Sequence, residues 1–469
     1  MPRVLPVFIP KFACLAGRQA KSGIMSKWLF FLSLFCLASC ATALKIQPQV
    51  TALTHSNNYT RAKALLDDNP NLYGKNNALM YLLDKGLVLH LSGDYKESID
   101  VFDKAKVRFD ELYTKSISGI LSTWLINEYT ASFRGEDFER VMITTFQALN
   151  YLMRNELDEA LVEARDVDVT LSAINSRYAP KEKNVYKEDA FARLLMGILY
   201  EASGTREDIN NAFISYVKAA ETYENDYARN YNVGIPQILK ENILAASQFM
   251  GLLEFNKYRQ KYGGISFLSL QEKAQKAEVY LIHYKGSLPV KEESALFIPL
   301  PDGHVVKIAF PQYRRRVAKI GTSLFSAKNS AHEVFQTQAQ LGEDISAIAI
   351  KNLENRRLRV RAKAIASAAG KYIVEKRQEE NIRNRFGDTA ADSFNVASNL
   401  FNLYSVKADL RSWQLLPSEI CISRLLLMPG EYSFSLENKD AQGSHAEIVE
   451  LGKIKILSGK KKFFLVRSL

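Results

Sequence analysis

The chain has 469 residues, 47% of them hydrophobic and 24% charged, with a formal charge of +11. That make-up is globular and long enough for two or three domains, and its charge is too evenly spread for a nucleic-acid protein, whose basic residues cluster. Five basic residues (Arg3, Lys11, Arg18, Lys21, Lys27) and no acidic one fall in residues 1–39, so the remainder holds 57 basic against 51 acidic side chains.

Behind Ser26-Lys27, an apolar stretch starting at Trp28 ends in Leu37-Ala38-Ser39-Cys40. A basic start, an apolar segment too short for a permanent span and small residues before a cut describe a secretory signal. The box resembles the lipobox of bacterial lipoproteins. The resemblance implies a signal over residues 1–39 with translation from Met25, and acyl chains, palmitate among them, on Cys40. Ala41 implies delivery to the outer membrane, with residues 40–58 as tether. Cys14 and Cys36 leave with the signal, so no disulfide is expected. Cys421, inside Ile420-Cys421-Ile422, reads as a buried thiol, with nothing electropositive beside it in sequence to make it a nucleophile.

From Tyr59 to Ala277 apolar residues recur at three and four, the helical period. The clearest unit, Ala78 to Phe109, sets Leu82, Gly86 and Leu89 before the turn Gly93-Asp94-Tyr95, then Ser98, Phe102 and Ala105. A second reads Ala148, Tyr151, Asn155-Glu156-Leu157, Ala160, Ala164 and Val167. A third reads Gly197, Tyr200, Gly204, Ala212, Tyr216 and Ala219, and the stretches Ile235–Phe255 and Leu268–Ala277 are expected to cap the array. The spacing resembles the tetratricopeptide repeat, where a small residue lets two helices approach closely.

After Lys276 the period becomes two. Val279–Tyr284, Ala295–Leu300 and Val305–Phe310 read as strands, as do Ile422–Leu427, Tyr432–Leu436, Ile448–Leu457 and Phe463–Val466. Residues 330–405 read as a helical insertion, from Glu333 through Asp344–Glu380 and Ala390–Tyr404. The expected fold class is α+β, a tetratricopeptide-like helical array over 59–277 followed by a strand-rich domain over 278–469.

In tetratricopeptide arrays the first helices line a concave face. Here those positions are Met80, Leu83, Leu87, Met142, Thr145, Leu149, Phe191, Leu194 and Ile198. An apolar row of this kind is either a groove for an apolar partner segment or a surface filled by the protein's own helices. On a helix Arg356, Arg359 and Lys363 share one face, which is either solvated or turned to lipid phosphate or an acidic partner. The six histidines are scattered singly, and no metal, cofactor or nucleotide motif is present.

Glu293-Ser294 echoes the catalytic pair of solenoid-type lytic transglycosylases, whose glutamate is the general acid. The apolar run after it reads as a strand, where that family has a helix. Asp409-Leu410-Arg411-Ser412-Trp413 reads as a buried corner, Asp409 and Arg411 paired against the Trp413 ring, with Pro417 opening the return to the last strands.

Leu300-Pro301-Asp302-Gly303, Ile308 to Tyr313 with Pro311, Ala408 to Trp413, Leu416 to Ile420, Arg424 and Pro429-Gly430 resemble the signatures of an uncharacterised family of tetratricopeptide-containing lipoproteins of Gram-negative bacteria. Ser423 departs from the small apolar residue that the family has before Arg424. The resemblance bears on architecture and address, the family having no established activity; with the repeat array, the expected function is a lipid-anchored, periplasm-facing scaffold that binds envelope proteins, near peptidoglycan synthesis or surface assembly, and is not an enzyme. A glycan hydrolase using Glu293 and a structural part of an envelope assembly are the alternatives.

Overall fold

The computed structural model describes residues 46–118, 131–176, 186–300, 303–316 and 319–469. Cys40 and Asp302 lie outside the described residues. The segment expected as tether instead forms helix α1 (Ile46–His55). Its Ile46 and Val50, one turn apart, are buried in the core.

After α2 (Tyr59–Asp68) come three helical hairpins: α3 (Ala78–Ser92) with α4 (Tyr95–Ser118), α5 (Asp137–Met153) with α6 (Leu157–Ser176), and α7 (Ala190–Ser203) with α8 (Arg206–Thr222). Left-handed residues reverse the chain within them, Gly93 at φ 87°, Asn155 at φ 63° and Gly204 at φ 77°. Gly93 closes α3 by donating its N–H to the carbonyls of Leu89 and His90, a common helix ending. In the first and third hairpins the helices touch at glycine. A Cβ on Gly86 would lie 2.4 Å from the Phe102 ring, and one on Gly197 would lie 2.3 Å from the Tyr216 ring.

Beyond α8 the chain makes a π-helical turn, Tyr223–Tyr227. Helices α9 (Gln237–Met250), α10 (Leu252–Lys261) and α11 (Leu270–Ala274) follow. Gly251, at φ 125°, breaks the single helix expected over Ile235–Phe255.

Strands begin at Ala277, beside the expected boundary. One sheet has the order β10 (Lys461–Ser468), β1 (Ala277–Lys285), β7 (Glu419–Leu427), β6 (Gln340–Asp344). In it β1 runs parallel to β10 and antiparallel to β7, and β6 is bulged between Leu341 and Glu343. A second sheet orders β5 (Val334–Gln338), β4 (Thr322–Asn329), β8 (Gly430–Lys439) and β9 (His445–Ile456). The third is a hairpin of β2 (Val290–Pro299) and β3 (Val305–Arg314).

Along β1 the side chains alternate between two cores. Tyr280, Ile282 and Tyr284 join the core of the helical array, while Val279 and Leu281 join Phe325, Phe434 and Leu436 of the second sheet. The first sheet is therefore the middle of three layers, with helices on one face and the second sheet on the other. The array and the strand-rich part share one continuous core.

Two expectations need correction. Residues 334–344 are strands β5 and β6, not the start of the helical insertion, because β4 and β7 supply them with pairing partners. Helix α12 (Ile345–Phe386) begins only after Asp344, whose carboxylate accepts the Ala347 N–H at 2.7 Å. Strand β4 has no counterpart in the pattern reading. Gly387 then turns the chain into α13 (Asp388–Ser405), and α12 and α13 both pack on β3 to form an arm.

Gly197→Val would drive its side chain into the Tyr216 ring. Overpacking of this kind costs about 1–3 kcal/mol. The expected result is a lower urea midpoint at unchanged m-value in equilibrium unfolding.

Candidate functional site

Each of the nine concave-face positions, Met80, Leu83, Leu87, Met142, Thr145, Leu149, Phe191, Leu194 and Ile198, is at most 1% exposed. The chain itself fills the space. Trp413, fully buried, meets the rings of Phe102 at 6.1 Å and Phe146 at 5.9 Å, both edge-on. Tyr284 of β1 packs edge-on against Phe146, and its hydroxyl lies 2.9 Å from His90 Nε2. The other ring nitrogen of His90 lies 2.6 Å from Asn150 Oδ1. Burial holds this histidine down to about 4, so it is neutral near pH 7. At the far end the bulge of β6 seats Gly342 against Phe191, and Tyr223 donates to the Gly342 carbonyl at 2.7 Å. The eight apolar residues set out as a partner groove are thus core, since the middle sheet and the Trp413 segment lie where a partner would.

The Asp409–Arg411 pair forms as a two-bond ion pair at 2.8 and 2.7 Å. The guanidinium also donates to Asn77 Oδ1 and to the Ala131 carbonyl, both at 2.9 Å. Its aromatic neighbour is Phe133, 5.7 Å away, where Trp413 was expected. The indole instead points into the helices. The segment from Ala408 to Leu416, which carries Trp413 into the concave face as a plug, ends at Pro417: the Leu416 carbonyl accepts from Leu288, and Ser418 donates to Lys285 at the entry to β7.

A polar junction ties plug, array and arm together. Glu136, capping α5, accepts from Lys291 of β2 at 3.0 Å and from Asn352 of α12 at 3.1 Å, and pairs with Arg356. Burial alone would raise Glu136, but the two cations outweigh it and hold it down to about 2. Glu139, one turn on, accepts the backbone N–H groups of Trp413 and Glu136, each at 2.8 Å. Burial and the neighbouring Glu136 push it up to about 7. Arg356, expected on a solvated or lipid-facing side, is therefore committed to this junction. Nothing of the Arg359 and Lys363 side chains belongs to the described residues.

Two more buried clusters lock the layers. Glu201 of α7 pairs with Lys461 of β10 at 2.9 Å and with Lys273 of α11, and Arg424 of β7 reaches Glu241 of α9. Asp189 caps α7 through the Ala192 N–H at 2.7 Å and accepts the Tyr186 hydroxyl at 2.7 Å. Burial, with Asp189 beside it, drives the carboxyl of Glu343 in the β6 bulge well above its ordinary value.

Glu293 sits on β2, 2.7 Å from Lys307 of β3, and accepts the Ala408 N–H at 2.9 Å. Its carboxylate fastens the β2–β3 hairpin to the start of the plug, which gives the hydrolase reading no support. Pro311 faces Glu293 across the hairpin, and Gly303, at φ 82°, shapes its tip. Cys421 is buried, and its thiol is pushed up by burial to about 12. Among the described residues no group of His, Cys, Asp and Glu could hold a metal ion, and no helix is long and apolar enough to cross a membrane.

The arm is the contrasting surface. Leu358, Ile365 and Ile373 on α12, and Val396, Leu400, Phe401 and Tyr404 on α13, are more than half exposed, and Phe386 at the tip is 74% exposed. Leu296 and Phe297 on β2 are exposed as well. Helix α12 carries eleven basic against four acidic residues. Nothing in its sequence distinguishes these apolar residues from core, which is why pattern reading missed the surface.

No family model matches the chain, and no curated protein matches it. Two crystal structures described as a Podosopora anserina putative kinesin light chain with nearly identical TPR-like repeats show a slight likeness. One covers 46% of this chain and 90% of its own, at 11% identity and a TM-score of 0.29. The other covers 47% of this chain and 96% of its own, at 11% identity and a TM-score of 0.28.

The buried acids make stability depend on pH. Asp84, which accepts from Tyr73 at 2.7 Å and Gln47 at 3.3 Å, is raised by burial to about 7, like Glu139. A raised carboxyl contributes fully below its unfolded value and loses that contribution as pH rises through the folded one. Glu136 has the opposite sign and loses its contribution only as pH falls toward about 2. The thermal midpoint of the wild type relative to that of the Asp84→Asn, Glu139→Gln variant should therefore fall as pH rises from about 4 to about 7, a comparison in which the opposing contribution of the buried histidines cancels. A difference that stays level across this window would contradict the assignment.

Proposed function

We propose that the protein is an interaction scaffold of the cell envelope that binds its partner through the arm and not through the helical groove. The observation that carries this reading is the contrast between a groove filled by Trp413, Tyr284 and Gly342 and an arm that leaves its large apolar residues in solvent. Exposed apolar patches of that extent mark interaction sites on folded proteins. The basic surplus of α12 selects an envelope protein with an apolar patch ringed by acidic side chains. Acylation of Cys40 holds the scaffold at the outer membrane, facing the periplasm. That part of the reading rests on the Leu37–Cys40 sequence alone.

Crosslinking in intact cells, followed by identification of the captured proteins, tests the proposal. Leu358→Glu with Leu400→Glu should abolish capture with the thermal transition kept, because exposed positions tolerate charge. Capture unchanged in this variant would remove the arm from the reading. Cys40→Ser should shift the protein out of the membrane fraction, and incorporation of labelled palmitate into that variant would refute the anchor.

A further inference from the structure

Where β3 runs along the root of α12, the two leave a cavity of about 150 Å³ whose lining includes Phe310, Tyr313, Leu353, Glu354, Val360 and Arg361. Two of these residues carry a buried polar atom with no hydrogen-bond partner, the Tyr313 hydroxyl and Arg361 Nε. Buried donors left unpaired are costly, and native structures keep few of them. The guanidinium lies over the Phe310 ring, 4.6 Å from its centre, and Lys291 Nζ lies 5.5 Å from the centre of the Tyr313 ring. Two unpaired donors, one of them on a guanidinium, make their strongest hydrogen bonds to an acceptor that carries negative charge, although the Glu354 carboxylate also lines the cavity and Glu136 and Glu139 lie near Tyr313. Leu353, Val360 and Phe310 give the rest of the cavity an apolar wall. Its size is about that of an engineered cavity known to hold benzene, six heavy atoms.

We propose that this cavity binds a short-chain carboxylate, the carboxylate accepting from Arg361 and Tyr313 and the alkyl tail lying against Leu353 and Val360. The site does not depend on the scaffold reading, since neither the anchor nor the exposed face of the arm enters the argument. It lies at the root of the arm, between the Glu136 junction and the free part of α12.

Ligand-observed NMR titration of the purified full-length protein with sodium butyrate tests it. Saturable binding is expected, weakened at least about fivefold by Tyr313→Phe and by Arg361→Gln, each of which removes a donor. Val360→Phe, which fills the cavity, should abolish binding. Tyr313→Phe deletes a hydroxyl that makes no hydrogen bond, so its thermal transition should match the wild type and its loss of binding is interpretable by itself, whereas Arg361→Gln also lifts the guanidinium off the Phe310 ring and is read together with its own thermal transition. Butanol binding as tightly as butyrate would reduce the site to an apolar hole and overturn the proposal. Inorganic phosphate displacing butyrate at lower concentration would overturn the ligand class. No saturable binding, or binding indifferent to all three variants, would overturn the site itself.

Discussion

The rest of the structure depends on one constraint: an array of helical hairpins whose inner row is apolar cannot stand open in water. Met80, Leu83, Leu149, Phe191 and Ile198 must be covered, and the middle sheet covers them with Tyr280, Ile282 and Tyr284. That solution forces the sheet to be apolar on both faces, because its other side meets Phe325 and Phe434. Strand β1 accordingly reads as an almost unbroken apolar run, the mark of a strand buried on two sides. The Trp413 plug completes the cover where the sheet does not reach.

Burying a sheet in a helical cradle says little about register, since apolar contacts are nondirectional. The buried polar clusters supply what is missing. Glu139 accepts the Trp413 N–H, Glu201 meets Lys461, and Tyr223 finds the Gly342 carbonyl. A one-residue slip of any of these strands would leave a charge or a donor stranded, at a cost of several kcal/mol. Each cluster joins elements far apart in sequence, so together they hold the three layers in a single arrangement.

How legible this was in the sequence follows from where each signal sits. The hairpins were readable because Gly86 with Phe102, and Gly197 with Tyr216, lie within one local unit at fixed spacing. Strands β4 to β6 were not: Val334 to Gln338 is a short, largely polar stretch, and its strand character comes from pairing with β4. The apolar concave row announced that something covers it, yet the covering residues lie up to about three hundred positions away without a local signature. Glu136 and Glu139 drew no reading from the sequence, because only the fold brings Lys291, Arg356 and Trp413 onto this capping box.

The middle sheet has a consequence for how the chain is made. Strand β1 is flanked on one side by β10, paired in parallel from Glu278 with Lys461 to Lys285 with Ser468. A nascent chain therefore finishes its helical hairpins long before the strand that closes the sheet emerges. Parallel pairings across such separations form slowly, because loop closure precedes any gain from contact. During that interval the β10 side of β1 is an unpaired edge, open to pairing with another chain. A premature stop anywhere before Lys461 makes that open edge permanent.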